Sequence, residues 1–478
     1  EAVQFEPNSP ACKTVRFRTD LVIMPLITLT MTLALLDKID PLDPQNGLAY
    51  AALYGMKDET NLRNQEYSWL GSIFYFGYLV MEIPNMWFIS RLPLGKYMGG
   101  CLFAWGGCLA CMAACHNFAG LAAIRFLLGA FEASILPCLI LVNSKWYRRE
   151  EQPLRTALWA NTFAGVFGGI LSYAIGRING SLSTWMYIFI IYGSFTALMG
   201  FVVIVALPDS PSDAWFLSPE LRKVATLRLT SNQTSTIRTE IKWKHIQEAV
   251  LDIRYWCLAI FLTAQAITNA GITNFNPLVI AQFGYSTSKT VLMATPQAAI
   301  AMVAQASMTA VTLFVPNLRC FFWVLSSCIA LAGAVIVGTV DPVTQPQVSL
   351  AGVYLMGFYN VSWVMVLSLQ SSNVAGMTKK SFVSVSVGVF YALGNIVGPQ
   401  FFLDSQAPRY SLGIGAMRCA FAVMAATGII YYLLCVFENK RRDKHDSVAS
   451  GLNEVGASQM AIQDDRTDQE NRHFRYTY

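Results

Sequence analysis

The chain has 478 residues, of which 54% are hydrophobic and 13% carry a charge. Soluble domains carry about 25% charged residues, so this composition excludes an ordinary soluble protein of this length. The net charge of +5 gives no reason to expect a nucleic-acid partner. Twelve apolar stretches, most of them close to the roughly 20 residues that a helix needs to cross a bilayer, instead predict an all-α protein with many transmembrane helices.

The predicted spans form two sets of six. A cytoplasmic segment over 1–19 precedes an N-terminal bundle over 20–207, and a polar cytoplasmic linker over 208–255 separates it from a C-terminal bundle over 256–437. The polar tail over 438–478 has no apolar periodicity, which predicts a disordered cytoplasmic segment. The twelve spans lie near 20–36, 69–88, 98–115, 118–141, 156–175, 185–207, 256–275, 291–314, 320–340, 348–369, 382–403 and 413–437.

Basic residues in the short loops predict the orientation. Sixteen Lys and Arg residues lie on the side that shares the N-terminus, and six lie in the opposite loops. The positive-inside rule therefore places both termini and the linker in the cytoplasm. Asn179 begins an Asn-Gly-Ser sequon in an outer loop and is a candidate glycosylation site.

Both halves carry a basic turn after their second span and another after their fourth. These turns lie at 91–96 and 145–155 in the first half, and at 316–319 and 379–380 in the second. Matching turns in two halves are typical of duplicated transporter folds. They favour two six-helix bundles around a central cavity.

Two interpretations of the first span remain open. Residues 21–36 would cover roughly 24 Å as a helix, which is short for a full crossing. The following segment over 37–47 contains prolines, aspartates and Asn-Gly, which are typical of a turn. Either the helix ends at Leu36 and an outer loop follows, or the segment is an insertion that splits one longer helix. Asp37 is a candidate proton-coupling residue, although it could lie inside or outside the membrane.

The fourth predicted span holds two ionisable residues. An ionised side chain at membrane depth costs on the order of 3 kcal/mol on insertion scales, so each needs a physical reason to be there. Arg125 and Glu132 are seven positions apart and share one helix face, and Gly129 between them is expected to leave that face open. Arg125 is a candidate for binding an anionic substrate, and Glu132 for carrying a coupling proton. The alternative is a charge pair that closes the wall between helices.

Basic loop residues near the inner ends of the spans are candidate gating groups. Glu82 lies near the inner end of the second span, and a salt bridge with a basic loop residue is a more common role there than substrate contact. The basic candidates are Arg91, Lys96, Arg148 and Arg149.

Uncharged polar residues recur in several spans and together suggest a hydrogen-bonding cavity. Individually, most such residues join neighbouring helices with about 0.6 kcal/mol each. The candidate substrate contacts among them are Asn161, Asn269, Asn274, Asn360, Gln370, Tyr391 and Asn395.

No signature of an enzyme stands out. The chain has no Walker phosphate loop, dinucleotide glycine motif, His-Glu-x-x-His or Gly-x-Ser-x-Gly sequence. Most of the eleven cysteines lie in apolar stretches, where they are better interpreted as packing residues than as metal ligands or disulfides. We therefore expect no cofactor and no metal.

An ordered series of motifs resembles the major facilitator superfamily, and within it the fungal allantoate permease family of the anion:cation symporter branch. The second-half motif around Gly398-Pro399 and the charged motif from Arg125 to Glu132 are both part of the match. The series comprises residues 67–78, 125–132, 146–155, 207–211, 271–275, 394–400, 407–410 and 438–443.

The resemblance implies a fungal plasma-membrane protein that takes up small organic anions or vitamin-like nutrients with protons, by alternating access. The family's Arg and Glu of the fourth helix match Arg125 and Glu132, and its Leu-Asp-Lys matches residues 36–38. The chain departs from the family after Lys38, where relatives continue as helix. Two alternatives therefore stay open: an exporter of a secondary metabolite on the same scaffold, or a nutrient sensor or defective paralogue that transports nothing.

Overall fold

A computed structural model of the protein is helical wherever it has regular secondary structure in its described residues, and no strand occurs in them. The chain divides into two compact units, Glu1–Ile237 and Arg238–Tyr478. The described residues are 9–37, 51–52, 54–148, 151, 155, 174–178, 180–230, 242–315, 317–407, 409–446, 467–471 and 474–478.

Unit 1 contains eight described α-helices. Two helix pairs dominate its packing: α3 lies along α5, and α4 lies along α7. The helices are α1 (Pro10–Asp37), α2 (Met56–Glu59), α3 (Glu66–Arg91), α4 (Leu94–Cys111), α5 (Phe118–Glu132), α6 (Ile135–Trp146), α7 (Thr184–Ala206) and α8 (Pro219–Thr230).

Unit 2 also contains eight described α-helices. The first long helix, α10, packs against α15 and α16, and α12 packs against α13, α14 and α16. The helices are α9 (Trp243–Leu251), α10 (Ile253–Ala281), α11 (Thr287–Phe314), α12 (Arg319–Thr339), α13 (Pro346–Met356), α14 (Tyr359–Asn373), α15 (Met377–Val397) and α16 (Ser411–Asp446).

Nine helical segments of the described chain are long and apolar enough to cross a membrane. They coincide with nine of the twelve predicted spans. The predicted spans near 20–36 and 69–88 lie within α1 and α3. The predicted span near 156–175 falls almost entirely outside the described residues, so its prediction stands as made.

The first helix is longer than the sequence pattern indicates. It begins at Pro10, inside the segment predicted to be cytoplasmic, and continues to Asp37. Cys12, Val15 and Thr19 are buried, so this early part of α1 packs within unit 1. Residues 38–50, which contain the proline-rich segment, lie outside the described residues, and both interpretations of that segment remain open.

Two of the predicted spans contain an irregular turn. In the fourth, the turn lies between Glu132 and Ile135, where Pro137 lacks the N–H that would bond the carbonyl of Ala133. In the tenth, it lies between Met356 and Tyr359. The intervening residues keep right-handed helical dihedral angles, and each span remains one helical segment of membrane length.

Gly129 does not leave an open face, contrary to the expectation from sequence. A Cβ atom at Gly129 would collide with the carbonyl oxygen of Phe74 on α3, and one at Gly77 would collide with that of Phe126 on α5. The two helices therefore touch backbone to backbone, which is how small residues drive helix association in lipid.

Helices α4 and α7 also approach each other closely at glycine residues. A Cβ atom at Gly106 would lie 2.6 Å from the carbonyl oxygen of Gly193, and a Cβ atom at Gly193 would lie 2.6 Å from that of Gly106. Gly99 and Gly200 oppose each other in the same way, at 2.9 Å. Unit 1 therefore depends on glycine contacts in both of its main helix pairs.

The tail differs from the predicted disorder at both of its ends. Helix α16 continues beyond the predicted boundary at 437 and ends at Asp446. Residues 467–471 and 474–478 pack against the ends of helices in unit 2, with Thr467, Asp468 and Tyr476 buried. The residues between these two parts lie outside the described chain.

We predict that Gly129→Ala destabilises the protein by about 1–3 kcal/mol, because the added methyl group forces α3 and α5 apart. The measurement is the fraction that stays monodisperse after heating, by size-exclusion chromatography in detergent. Gly107→Ala is the matched control, since a Cβ atom at Gly107 meets nothing within 4 Å. Equal losses in both variants would contradict the prediction.

Candidate functional site

The charged pair on α5 is buried within the protein. Arg125 and Glu132 are each 3% exposed. They flank Gly129 on one helix face, and that face is covered by the backbone of α3. Both charges are therefore withdrawn from lipid, as the cost of an ion in hydrocarbon requires.

Glu132 also occupies a special place along the chain, since it is the last residue of α5. The turn that follows carries Ala133 and Ser134 before α6 begins. Ser134 is buried, and its hydroxyl donates to the backbone carbonyl of Phe131.

A hydrogen-bonded cluster in unit 2 is centred on Asn269. Its side-chain nitrogen donates to the Tyr391 hydroxyl at 3.0 Å and to the Asn395 side-chain oxygen at 3.0 Å, and its oxygen accepts from the Tyr359 hydroxyl at 3.1 Å. The cluster joins α10, α14 and α15, and Asn269 uses both of its N–H groups in it. Three of the candidate substrate contacts are therefore brought together, while Tyr359 was not singled out from the sequence.

The other candidate amides of unit 2 are placed differently. Asn274 donates to the backbone carbonyl of Ala270 on its own helix at 2.9 Å. Asn360 and Gln370 are buried on α14, and the side-chain oxygen of each makes no hydrogen bond with the described residues. Neither amide atom of the fully buried Gln265 has a hydrogen-bond partner in the part of the chain that the structure describes. These groups keep hydrogen-bonding capacity that a polar substrate could use.

Gln370 also lines a small cleft on unit 2. Tyr255 and Leu258 of α10 form one side of it, and Ser386 and Phe390 of α15 form the other. Its empty volume of about 170 Å³ is below the roughly 300–1,000 Å³ of small-molecule sites, so the cleft is a groove between packed helices.

The candidate gating residues have different surroundings in unit 1. Glu82 is half-buried in α3, and its Oε2 atom makes no hydrogen bond within the described residues. The Arg91 guanidinium lies over the Trp87 ring at 5.8 Å, and Lys96 is exposed. The backbone N–H of Arg148 donates to Glu151 Oε2 at 3.2 Å. The salt bridge expected for Glu82 is thus not among the described contacts.

Four candidate residues cannot be placed in full. Asp37 is the final residue of α1. The other three fall outside the described residues: Arg149, Asn161 and Asn179.

An ion-pair cluster in unit 1 was not anticipated from the sequence. Arg155 Nε and Nη2 donate to the two carboxylate oxygens of Asp20 at 2.8 and 2.7 Å, and its guanidinium lies 4.5 Å from the Tyr147 ring centre. Glu151 forms an ion pair with Arg228 of α8. This cluster ties α1, the loop after α6 and the linker helix together.

Burial and charge act in opposite directions on this cluster. Burial lowers the pKa of Arg155, but its hydrogen bonds with Asp20 and the charge of Asp20 outweigh that effect, so its pKa lies above its ordinary value. Burial, followed by the charge of Asp20, raises the pKa of the Tyr147 phenol. Both groups therefore stay in their protonated forms at physiological pH, and the cluster acts as a fixed clasp. In the sequence, the available signals for this cluster were Arg155 in the basic motif over 145–155 and Asp20 at the start of the first span.

Arg418 on α16 is a second charged residue that the sequence analysis did not single out. A Cβ atom at Gly338 of α12 would collide with its guanidinium, so the glycine makes room for the arginine. Gly338 lies in the last turn of α12, where a cation interacts favourably with the helix dipole. Support of this helix end is the role that these contacts favour.

We predict that Asn269→Leu lowers the stability of the folded protein by about 1–3 kcal/mol, because the buried Tyr359 and Asn395 and the half-buried Tyr391 lose a hydrogen-bond partner. A residue that only touched substrate would change the KM of transport and leave heat resistance unchanged. The measurement is the monodisperse fraction after heating in detergent. Thr263→Val is the control, since among the described residues the Thr263 hydroxyl bonds to Ala259 of its own helix and to no other helix. Wild-type heat resistance in the Asn269 variant would refute the structural role.

Comparison with known proteins identifies related sequences over the whole chain. The sequence profile of the Major Facilitator Superfamily matches residues 45–399. An uncharacterized transporter of Schizosaccharomyces pombe is 36% identical over 99% of this chain and 89% of its own length. Allantoate permease of Saccharomyces cerevisiae is 30% identical over 100% of this chain and 88% of its own length. The high-affinity nicotinic acid transporter of the same yeast is 27% identical, covering 99% and 86%.

Solved structures show the same fold at low sequence identity. A bacterial homologue of the human lysosomal transporter Spinster matches with a TM-score of 0.63 and 15% identity, covering 89% of this chain and 97% of its own. A D-xylose–proton symporter matches with a TM-score of 0.59 and 15% identity, covering 85% and 96%.

Proposed function

The chain belongs to the major facilitator superfamily of transporters, as its motifs predict, and on that premise we propose that it imports a small organic anion together with protons. Transport would proceed by alternating access, in the plasma membrane, with both termini in the cytoplasm. The observation that carries the proposal is the buried pair of Arg125 and Glu132 on one face of α5.

Arg125 is the proposed anion-binding group. A guanidinium is always charged and offers paired N–H donors that match a carboxylate, so it binds that group in a fixed geometry. In a buried site this attraction is less screened than at the surface. The relatives named for allantoate and nicotinic acid support a carboxylate substrate, since both compounds are carboxylic acids.

Glu132 is the proposed proton carrier. A buried cation needs a compensating charge, and the ionised Glu132 carboxylate supplies one while no substrate is bound. When an anion binds near Arg125, it balances the charge of the guanidinium, and the negative charge of Glu132 is no longer needed. Protonation of Glu132 then becomes more favourable. Binding of anion and proton would thus be linked, and each would increase the affinity for the other.

Unit 2 is proposed to supply neutral hydrogen-bonding contacts. Asn360 and Gln370 are the better candidates, because their side-chain oxygens have no partner in the described chain. Asn269, Tyr391 and Asn395 bond to one another, so a substrate would contact them only by replacing part of that cluster. The roles given to Asn161 and Asn274, to Asp37 and to the gating residues remain predictions, as does glycosylation of Asn179.

Uptake by cells tests the function directly. Expression in a fungus deficient in nutrient transport should produce accumulation of at least one radiolabelled ureide, vitamin or short carboxylate, and acidic medium should increase it. An exporter would lower the cellular content of its substrate, and a sensor would signal without accumulating any ligand. Either result would replace the proposal by the corresponding alternative.

We predict that Glu132→Gln removes the increase of uptake in acidic medium, because the amide keeps the shape of the side chain but cannot accept the proton. The measurement is the initial uptake rate at several external pH values, normalised to the amount of protein in the membrane. Asp341→Asn is the control, since Asp341 lies in an exposed ion pair with Arg409. A normal pH profile in the Glu132 variant would exclude the coupling role.

We also predict that Arg125→Gln raises the KM for the anion about tenfold or more, because a charge-assisted hydrogen bond contributes roughly 1.5–3 kcal/mol. Arg125→Lys keeps the charge but loses the paired donors, so its KM should lie between wild type and the Gln variant. The measurement is concentration-dependent uptake of the anion that the panel identifies. An unchanged KM in the Gln variant would show that Arg125 only closes the wall between helices.

A further inference from the structure

Residues 467–471 and 474–478, here called the tail segment, dock on one end of unit 2. That end is formed by the start of α10 and α15 and by the last turns of α14 and α16. Three basic side chains line it, Arg254, Lys379 and Arg442, and the last two are themselves buried. A segment predicted to be disordered is therefore held by specific contacts.

Asp468 is the acidic anchor of the tail segment. It is 1% exposed, and its carboxylate accepts from Lys379 Nζ at 2.7 Å and from the Tyr476 hydroxyl at 2.8 Å. Arg254 Nη2 lies 3.5 Å from the same carboxylate. Lys379 is also bound by Glu248 of α9 at 2.8 Å. Asp468 thus completes an ion-pair network that links α9, α10 and α15.

Tyr476 is the aromatic anchor. Two guanidinium groups contact its ring, that of Arg254 at 3.7 Å and that of Arg442 at 4.8 Å from the ring centre. Asn439 of α16 bonds both sides of the Tyr476 backbone, accepting from its N–H at 3.0 Å and donating to its carbonyl at 2.8 Å. The two cation–π contacts favour an aromatic residue at this position.

The adjacent residue, Thr477, is bound mainly through its backbone. Asn373 of α14 donates to the carbonyl of Thr477 at 2.8 Å and accepts from the Thr477 N–H at 2.8 Å. The Thr477 hydroxyl donates to the same Asn373 oxygen at 3.0 Å. The Tyr478 ring packs edge-on against Tyr432 of α16.

These contacts join helix ends that are far apart in sequence. They are all available only while the ends of α10, α14, α15 and α16 keep the arrangement described here. A ligand that binds one conformation better than another shifts the population toward the first, by as much as its difference in affinity. A tethered segment acts in the same way, at a high effective concentration.

We propose that the tail segment is a self-inhibitory latch on unit 2, and that its release increases the rate of transport. The inference rests on the proposed transport function, because a cycle that visits several conformations is slowed when one of them is selectively stabilised. The surface of unit 2 that the tail segment covers, lined by Arg254, Lys379 and Arg442, is then a binding site for a peptide with an acidic and an aromatic residue.

The first test measures release without any transport assay. Hydrogen–deuterium exchange of the full chain in nanodiscs reports on the backbone N–H groups of Tyr476 and Thr477, which should be protected in wild type. Asp468→Asn should speed their exchange at least about tenfold, because it removes a buried charge from Lys379 and Arg254. Glu470→Gln is the matched control, since it removes the same charge from a pair whose Lys244 side chain is 80% exposed. Rapid exchange in wild type, or equal exchange in both variants, would overturn the latch.

The second test measures the consequence of release. With an anion identified by the uptake panel, the initial rate should rise about twofold or more in Asp468→Asn and stay at the wild-type value in Glu470→Gln. Release without a change of rate, or with a lower rate, would overturn inhibition and make the segment a structural clasp. If no anion is transported by wild type, the proposed function fails while the exchange result still decides the docking.

A cut made after folding avoids any failure of a variant to fold. A protease site inserted between residues 455 and 456 leaves the docked segment in place during synthesis, and cleavage followed by washing then removes it. The rate of transport in proteoliposomes should be unchanged by cleavage before washing and should increase afterwards. An identical rate before and after removal of the peptide would overturn the proposal.

Discussion

Hydrocarbon offers no hydrogen bonds, so every backbone N–H and C=O group inside a membrane has to find its partner within the chain. This constraint accounts for the long helices and for the way they approach each other. With lipid outside and apolar side chains inside, little is gained by hiding apolar surface, and helices associate through close contact. In unit 1 that contact is made at Gly77 and Gly129, and again at Gly106 and Gly193, where any larger residue would meet backbone atoms.

Two of the spans contain an irregular turn through which the helical backbone continues, and each turn lies beside a buried polar side chain. Glu132 ends α5, and Asn360 follows the start of α14 by one residue. Polar side chains are costly in a membrane, so each of these two needs a physical reason for its position.

The two units handle buried polarity by different means. Unit 1 holds full charges on α5, whose influence extends over several ångströms and favours an ion. Unit 2 holds neutral amides and phenols around Asn269, whose bonds are short and directional and which fix helices in register. The ends of the helices use a third means, in which the partly buried pair Arg155–Asp20 and the buried pair Lys379–Asp468 join loops and tail to the helices. Removing one partner of a buried pair is costly, because it leaves the other charge uncompensated.

The all-α class, the positions of most spans, the superfamily and the ionisable residues within the spans follow from the amino-acid sequence, because hydropathy and motifs are local properties of the chain. The contacts of each polar group become known only from the folded arrangement of the helices. The space beside Gly129 is occupied by the backbone of α3, and Asn269 forms hydrogen bonds with two other helices. Asp468 of the tail segment accepts a hydrogen bond from Lys379. Each of these partners is far away in sequence, and a local pattern carries no information about a contact that exists only once distant helices have packed.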